Sequence, residues 1–398
     1  EMQRSLVGSE MCIRDSKGGR HMIPFNKASI TETEIKFITD VLRNSKLSGD
    51  GVYTMKVYEF FKTRMGINNM LLTTSGTTSL EMASILANLE PGDEVIVPSF
   101  TFSSTVNAFM LRRAVPVFCD IRKDTMNIDE TKIEDLITSK TKAIYAVDYA
   151  GVPCDMDVIN EIARKHNLIV IEDAAQSVGS TYKGVYAGKL ATFGCYSFHE
   201  TKNYSMGEGG AIVLNDPSYL DRAEIIREKG TNRRQVLKGM VDKYTWYDIG
   251  SSFLPSDVLA AMLYGQLVRY DEIMNKRKKV WNTYQNELID LDRKEWLRCP
   301  IVPDYVEHNG HMYNIILPTG EIRTKLVDRL KEAGIYAYIC YVPLHSAPMG
   351  LKLGYKAEKC PITEDYGERV LRLPLYADMT IEDAEYVVEN VKQILGEC

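Results

Sequence analysis

A lysine, an aspartate and a Ser/Gly/Thr turn carry the chemistry most easily read in this chain. Lys202 stands in Cys195-Tyr196-Ser197-Phe198-His199-Glu200-Thr201-Lys202-Asn203-Tyr204, where an apolar-aromatic run that reads as a buried strand empties into a polar turn. Glycines follow, Gly207-Glu208-Gly209-Gly210, and then a second strand over 211–214. One amine is thereby presented at a strand end, beside glycines that let backbone approach a bound group and beside Ser197 and amides placed to hold an anion. A loop lysine is most often a solvated ammonium, so Lys202 gains weight only from its neighbours.

Asp173 ends the apolar run Leu168-Ile169-Val170-Ile171-Glu172, the pattern of a parallel strand covered on both faces, whose carboxyl end opens on a ligand cleft. An N-cap before Ala174-Ala175-Gln176 is the equal alternative. A third stretch is a strand over Met70–Thr73, a turn containing Ser75, Gly76 and Thr77, and a helix over 80–89, a layout that offers free N–H groups and hydroxyls to a phosphate. An amine to condense with an aldehyde, a carboxylate to keep a pyridine nitrogen protonated and a phosphate cradle are together the requirements of pyridoxal 5′-phosphate.

These segments, with Pro-Gly-Asp-Glu-Val-Ile-Val-Pro-Ser-Phe-Thr-Phe at 91–102, resemble the DegT/DnrJ/EryC1/StrS sugar aminotransferases from Met22 to the end of the chain. The resemblance implies an α/β, fold-type I pyridoxal phosphate-dependent transferase, aspartate aminotransferase-like, with a large mostly parallel-sheet domain and a smaller α+β C-terminal domain. It implies Lys202 bonded to the cofactor, Asp173 at the pyridine nitrogen, Phe102 stacked on the ring and Gln176 at the ring hydroxyl. Gly76, Thr77 and Ser197 would lie at the phosphate, and Asn232 would reach the phosphate of the other subunit of a homodimer with shared active sites. His199, Arg233, His311, Tyr341 and His345 are the expected substrate contacts. Blander roles stand beside these: Phe102 as core, Gln176 satisfying backbone, His345 as a structural histidine.

The implied partners are L-glutamate and a nucleotide-linked keto sugar. Asp-Thr-Met-Asn-Ile-Asp-Glu-Thr at 124–131 and Arg-Glu-Lys-Gly-Thr-Asn-Arg at 227–233 resemble members that aminate C4 of dTDP-4-dehydro-6-deoxy-D-glucose to the galacto product. Amination at C3, a gluco-series product, or a UDP- or GDP-sugar remain alternatives. Lys202 speaks against the related dehydratases that carry histidine there, and Lys202 with Asp173 speaks against a non-catalytic relative.

The elements that must position these residues alternate. Strands over Glu94–Pro98, 115–120, 143–148, 168–173 and 193–198 are separated by helices over 103–112, 133–137 and 158–166, which predicts right-handed crossovers and a mostly parallel sheet. Before them lie helices over 31–44 and Val52–Met65. After them, Asp257 reads as the cap of one long helix running to about 291, and strands over 312–317 and 337–342 with helices over 324–333 and 381–395 suggest a small domain. The expected boundaries are 22–256 for the cofactor domain and 257–398 for the linking helix and small domain. Residues 1–21, of mixed charge and without an apolar core, read as an appended extension.

A chain of 398 residues can bury the core of both domains. A formal charge of −6 gives no general attraction to nucleic acid or acidic membranes. Eight scattered cysteines, without a Cys-x-x-Cys pair or zinc spacing, read as reduced thiols of a cytoplasmic protein with no metal site. No run approaches the roughly 20 apolar residues that span a bilayer.

Overall fold

The computed structural model describes residues 22–44, 46–237 and 239–397; residues 1–21, expected to be an extension, lie outside these. Two helices, α1 (Glu32–Asn44) and α2 (Val52–Met65), precede a seven-stranded sheet. Its first five strands and their crossovers are β1 (Met70–Thr73), α3 (Gly76–Leu86), β2 (Glu94–Pro98), α4 (Ser103–Met110), β3 (Val115–Cys119), β4 (Thr141–Val147), α5 (Met156–His166) and β5 (Ile169–Asp173). A small hairpin, β6 (Thr181–Tyr182) and β7 (Val185–Tyr186), leads to β8 (Phe193–Ser197) and β9 (Gly210–Leu214). The order is β1-β9-β8-β5-β4-β2-β3, parallel except that β9 runs antiparallel to both neighbours. Successive side chains point to opposite faces, so Ile171 joins one apolar layer with Tyr145 and Phe193 while Val170 joins the other with Ile144 and Ile159. Both faces are covered, which is why the strands read as continuous apolar runs. The helix expected over 133–137 is instead a pair of 3₁₀ turns, Glu130–Lys132 and Glu134–Leu136, the first started by the Asp129 carboxylate accepting the Thr131 N–H. Such short segments favour the tighter i→i+3 bond.

Helices α6 (Leu220–Arg227) and α7 (Arg233–Leu237) follow the sheet. The long helix expected from Asp257 is two, α8 (Asp257–Val268) and α9 (Tyr270–Arg293), broken at Arg269. Beyond them come β10 (Val306–Glu307), β11 (Tyr313–Ile316), α10 (Gly320–Glu332), β12 (Tyr338–Ile339), α11 (Pro348–Lys352), α12 (Pro361–Arg369), β13 (Val370–Leu373) and α13 (Ile381–Gly396). Strands β11, β13 and β12 form a separate antiparallel sheet in that order. The strand expected over 337–342 is cut to two residues.

The core does not divide at 256/257. Ala260, Leu263, Leu267 and Ile273 pack with Phe61 and Tyr196 of the large body, whereas Val280, Trp281, Tyr284 and Leu288 pack with Tyr313 and Leu373 of the small one. Helix α9 therefore passes from one body to the other along its own length. Ile23 bridges to Ile335, so the start of the described chain also belongs to the small body.

Asp257 is not the cap of its own helix. Its carboxylate accepts the N–H groups of Tyr53 (3.1 Å) and Thr54 (2.8 Å) and the Thr54 hydroxyl (2.7 Å), so it caps α2 from 200 residues away. A Cβ on Gly51 would meet Asp257 Oδ2 at 2.4 Å, so only glycine admits this approach. Substituting Asp257→Asn leaves one acceptor where three donors converge and is expected to lower stability by about 2 kcal/mol in urea unfolding; Gly51→Ala should lower it too, through the same cap, and a midpoint unchanged in both variants contradicts this account.

Candidate active site

Asp173, at the carboxyl end of β5, is buried. Its Oδ2 accepts the Thr105 hydroxyl at 2.7 Å and its Oδ1 accepts the Ala175 N–H at 3.2 Å; Thr105 is in turn held by Thr101 at 2.8 Å. Burial pushes the Asp173 carboxyl above its ordinary range, with Thr105, Ala175 and the charge of Lys202 opposing the rise. Lys202, half-buried, has its amine pushed down to about 8 by the protein packed around it; Asp173 opposes this and Arg372 adds to it. An acid held too high and an amine held too low thus bear on one another's charge.

The residue after Lys202 fixes its place. Asn203 donates to Asn309 O (3.0 Å) and pairs with His311 Nδ1 (2.9 Å), and Asn309 donates to the carbonyls of Gln176 (2.8 Å) and Val178 (3.1 Å). Arg277, buried and with no carboxylate partner among the described residues, anchors the same segment through the carbonyls of Gly310 and His311 and ties it to Leu375 O. His311 is held neutral, since burial and then the charges of Lys202, Arg277 and Arg372 push its ring well below its ordinary value. Gln176 accepts the Ala150 N–H (2.7 Å) and donates to the Tyr341 hydroxyl (2.7 Å), tying the large body to the small one beside Asp173.

Phe102 is 52% exposed at the start of α4, just past β2, with its ring 6.2 Å from that of Tyr341; it is not core. At the start of α3, the Ser75 hydroxyl accepts the Thr78 N–H in a capping box, and the first helical amides, Gly76 and Thr77, have no preceding turn to donate to. A Cβ on Gly76 would lie 2.8 Å from Ser197 Cβ, and one on Gly210 would lie 2.4 Å from the Ser75 carbonyl. Gly210 thus serves the packing of β9 against the α3 turn.

Of the other expected site residues, Asn232, Arg233 and His345 are not gathered with these, while His199 joins them through main chain, its N–H donating to Ser197 Oγ (3.5 Å) and its carbonyl accepting the Lys202 N–H (2.9 Å). His199 pairs with Thr201 (2.9 Å) and lies 3.6 Å from Glu208. Asn232, expected to reach across a subunit boundary, is buried and binds Lys243 O (2.8 Å) and Thr245 N (2.8 Å) of its own loop. Arg233 is paired with Glu228 at 3.2 Å. His345 is fully buried: Ser99 Oγ accepts its main-chain N–H (3.1 Å) and meets its Nδ1 at 2.6 Å, while Nε2 faces Ala357 O and Glu364 Oε1, both at 3.1 Å. Two acceptors at Nε2 place the proton there, so this ring latches the 343–346 corner to the end of β2.

Sequence reading missed Thr105, Asn203, Asn309 and Arg277; only Thr105 left a signal, falling one helical turn past Phe102 on the helix that opens beside Asp173. It also missed the pair Asp148 and Glu172, both fully buried and hydrogen-bonded to each other. Glu172 also accepts the N–H groups of Gly188 (2.6 Å) and Leu190 (3.0 Å), and Asp148 accepts those of Cys154 (3.1 Å) and the Ser177 hydroxyl (2.8 Å). Burial raises both carboxyls, Asp148 to about 7, so the pair retains a proton. A surface cavity of about 1020 Å³ beside α10, lined by Arg323, Asp328 and Glu368 among others, shares no residue with this cluster. Among the described residues no three His, Cys, Asp or Glu side chains could hold a metal ion, and no helix is long and apolar enough to cross a membrane.

The arrangement fits pyridoxal 5′-phosphate. A buried carboxylate needs a cation on its open side, which a protonated pyridine provides; an exposed ring, Phe102, stands past the carboxyl end of β2, two strands along the sheet; and undonated amides beside Ser197 suit a phosphate. A parallel sheet bearing a lysine and an aspartate at its carboxyl edge, with a smaller α+β body behind it, defines a fold-type I pyridoxal phosphate-dependent transferase. The chain belongs to the DegT/DnrJ/EryC1/StrS aminotransferase family, whose model matches residues 28–392. It is 31% identical to the GDP-perosamine synthase of Escherichia coli O157:H7 (94% of this chain, 99% of that protein) and 32% identical to the spore coat polysaccharide biosynthesis protein SpsC of Bacillus subtilis (94% and 97%). The PLP-form of Spr1654 from Streptococcus pneumoniae superposes with a TM-score of 0.88 at 26% identity over 95% of this chain and 99% of that one. Pyridoxal 5′-phosphate is the cofactor.

In cofactor-free protein, acylation of Lys202 followed by peptide mass spectrometry should rise with pH around a midpoint near 8, where an ordinary lysine titrates near 10.5. Asp173→Asn removes an anion that favours the ammonium, so the midpoint should fall; a rise refutes the coupling. The buried acid pair sets a second pH dependence. A carboxyl raised by folding stabilises fully below its unfolded value of about 4 and loses that contribution as pH climbs through its folded value. Unfolding free energy should therefore decline from about pH 4 through neutrality, and Asp148→Asn should flatten the decline.

Proposed function

We propose that this aminotransferase moves an amino group from L-glutamate to C4 of dTDP-4-dehydro-6-deoxy-D-glucose, giving dTDP-4-amino-4,6-dideoxy-D-galactose and 2-oxoglutarate, as a cytoplasmic homodimer with shared sites. The observation that carries the chemistry is the pairing of a buried acid, Asp173, with a nearby amine of lowered basicity, Lys202. The cofactor, when bound, supplies an electron sink and carries the amino group between the two half-reactions.

The chain's own groups do the rest. With the cofactor bound, the Lys202 amine would accept the α-proton of the donor and return it to the carbon on the other side of the transferred nitrogen, and a basicity near neutrality suits a group that must do both. Asp173 keeps the pyridine nitrogen protonated, and Thr105 keeps Asp173 aimed. Phe102, with its exposed ring near Tyr341, would cover one face of the cofactor ring, and the Gln176–Tyr341 pair would close its edge against water. Gly76, Thr77 and Ser197 hold the phosphate. Because one site serves both substrates in turn, the kinetics are ping-pong.

The segments at 124–131 and 227–233 favour the dTDP sugar, the C4 position and the galacto product. The second reading is a GDP-linked keto sugar, favoured by the relative named GDP-perosamine synthase. Incubation with pyridoxal phosphate, L-glutamate and dTDP-4-dehydro-6-deoxyglucose should give a 4-amino sugar whose proton couplings report an axial amine. An equatorial amine moves the enzyme to the gluco series, and product only from the GDP sugar establishes the second reading. Lys202→Ala is expected to abolish turnover and the long-wavelength absorbance of bound cofactor; Asp173→Asn is expected to lower kcat by about 10²- to 10³-fold. Normal transfer by Lys202→Ala overturns the assignment.

A further inference from the structure

Resemblance puts His311 at the substrate, yet the residue is only 8% exposed and its bonded ring nitrogen faces the neighbour of Lys202. Ring Nδ1 lies 2.9 Å from Asn203 Oδ1. Main chain holds the histidine on both sides, its N–H donating to Asn309 Oδ1 (3.0 Å) and its carbonyl accepting Arg277 Nη2 (2.6 Å). Lys202 is held by its own N–H, which donates to His199 O (2.9 Å), and beyond that by the side chain of Asn203, which is buried. One bond before the lysine side chain and one after it therefore set where its Cα stands.

Main-chain atoms fix the direction of every bond in this set. A carbonyl only accepts, so the Asn203 atom 3.0 Å from Asn309 O is the amide nitrogen, and Oδ1 is what faces His311. That oxygen also only accepts, so Nδ1 carries a proton. The same reasoning orients Asn309, whose Nδ2 lies against the carbonyls of Gln176 (2.8 Å) and Val178 (3.1 Å) and whose Oδ1 lies against the His311 N–H. Gly151, at φ +80°, has no side chain where a Cβ would stand 2.1 Å from Asn309 Oδ1, which packs that amide in place. Since burial holds the His311 ring neutral, the proton on Nδ1 leaves Nε2 bare.

We propose that His311 is a positioning residue and not a substrate contact: its Nδ1–H keys the Asn203 carboxamide, and Asn203 in turn fixes where the Lys202 amine stands. The inference rests on Lys202 being the amine that reacts with the cofactor, and adds the group that places it. Without the ring donor, Asn203 Oδ1 is left buried and unpaired, and the lysine turn must shift to satisfy it. Protonation of the ring adds a hydrogen at Nε2 and leaves the key intact, so the brace does not depend on the charge of His311. A turn braced on both sides of the lysine confines the travel of the amine to rotation of its own side chain.

Asparagine and glutamine separate the two ring nitrogens, since the amide of asparagine overlays Nδ1 and that of glutamine overlays Nε2. In cofactor-free protein, acylation of Lys202 in His311→Asn should keep its midpoint near 8, whereas His311→Gln and Asn203→Leu should raise it by about one pH unit or more as water reaches the amine. With holoenzyme, His311→Gln should lower kcat by about 10- to 100-fold and leave both KM values within about threefold, and His311→Asn should recover most of the rate. Thermal midpoints report whether each variant has folded. A midpoint of acylation unmoved in folded His311→Gln, or a loss of substrate affinity shared by both His311 variants, overturns the proposal. Nitrogen-15 NMR of histidine-labelled wild type, with the signal identified by its absence from either His311 variant, reads the tautomer directly; a neutral ring protonated at Nε2 overturns the proposal whatever the variants do. Should the holoenzyme transfer no amino group, the aminotransferase reading falls, while the acylation midpoints and the tautomer still decide how Lys202 is placed.

Discussion

A carboxylate cannot be taken out of water without something to receive its charge, and the active-site end of the sheet is built around that requirement at Asp173. Two donors, the Thr105 hydroxyl and the Ala175 amide, meet part of it, and Lys202 lies near enough to meet more. The remaining deficit is what makes the cleft receptive to a protonated heterocycle. Directly beside Asp173 on the same strand, Glu172 points to the other face and solves the same problem differently, by sharing a proton with Asp148 and accepting two amides. One strand end thus carries two buried acids, one left short of charge compensation and one made inert, and that difference separates a reactive surface from a structural one.

The supporting contacts radiate from this point through main chain more than through side chains. Asn203 and Asn309 stitch the turn bearing Lys202 to the carbonyls after Asp173, and Arg277 holds the far side of that stitch by three carbonyls. Glycines permit the nearest approaches, since the α3 turn touches β8 and β9 where Gly76 and Gly210 have no side chains. The small body is joined at the same level through Gln176 with Tyr341 and through Ser99 with His345. The serine, histidine and glutamate of the latter latch have the composition of a hydrolytic triad, but with Ser99 and His345 fully buried they can only hold.

The positions of Asp173 at the end of β5 and of Lys202 in the turn after β8 were legible in the sequence because strand ends announce themselves in apolar runs. The parallel strands were legible for the same reason, to within one or two residues. What escaped was whatever depends on partners far apart in the chain. Asp257 looks like a helix cap and is one, but for a helix 200 residues earlier, since the Gly51 gap that admits it has no local signature. Strand β13 was unread because Arg372 interrupts four residues that would otherwise be apolar. His345 was expected at a substrate surface, yet the pairing of its ring with Ser99 exists only after two bodies have met. The bonds of the Asn232 side chain within its own loop were likewise without a local signature.

Helix α9 gives the two bodies a mechanical relation. Its 24 residues make a rod about 36 Å long, fixed at one end among the aromatic side chains of the large body and at the other among those of the small body. Arg269, at its root, is pinned to Glu34 in the first turn of α1 and to Ser29 just before it. A tilt of about five degrees at that root displaces the far end by about 3 Å, by lever geometry alone. The small body is thus carried on a lever whose fulcrum is an arginine far from Phe102 and Tyr341.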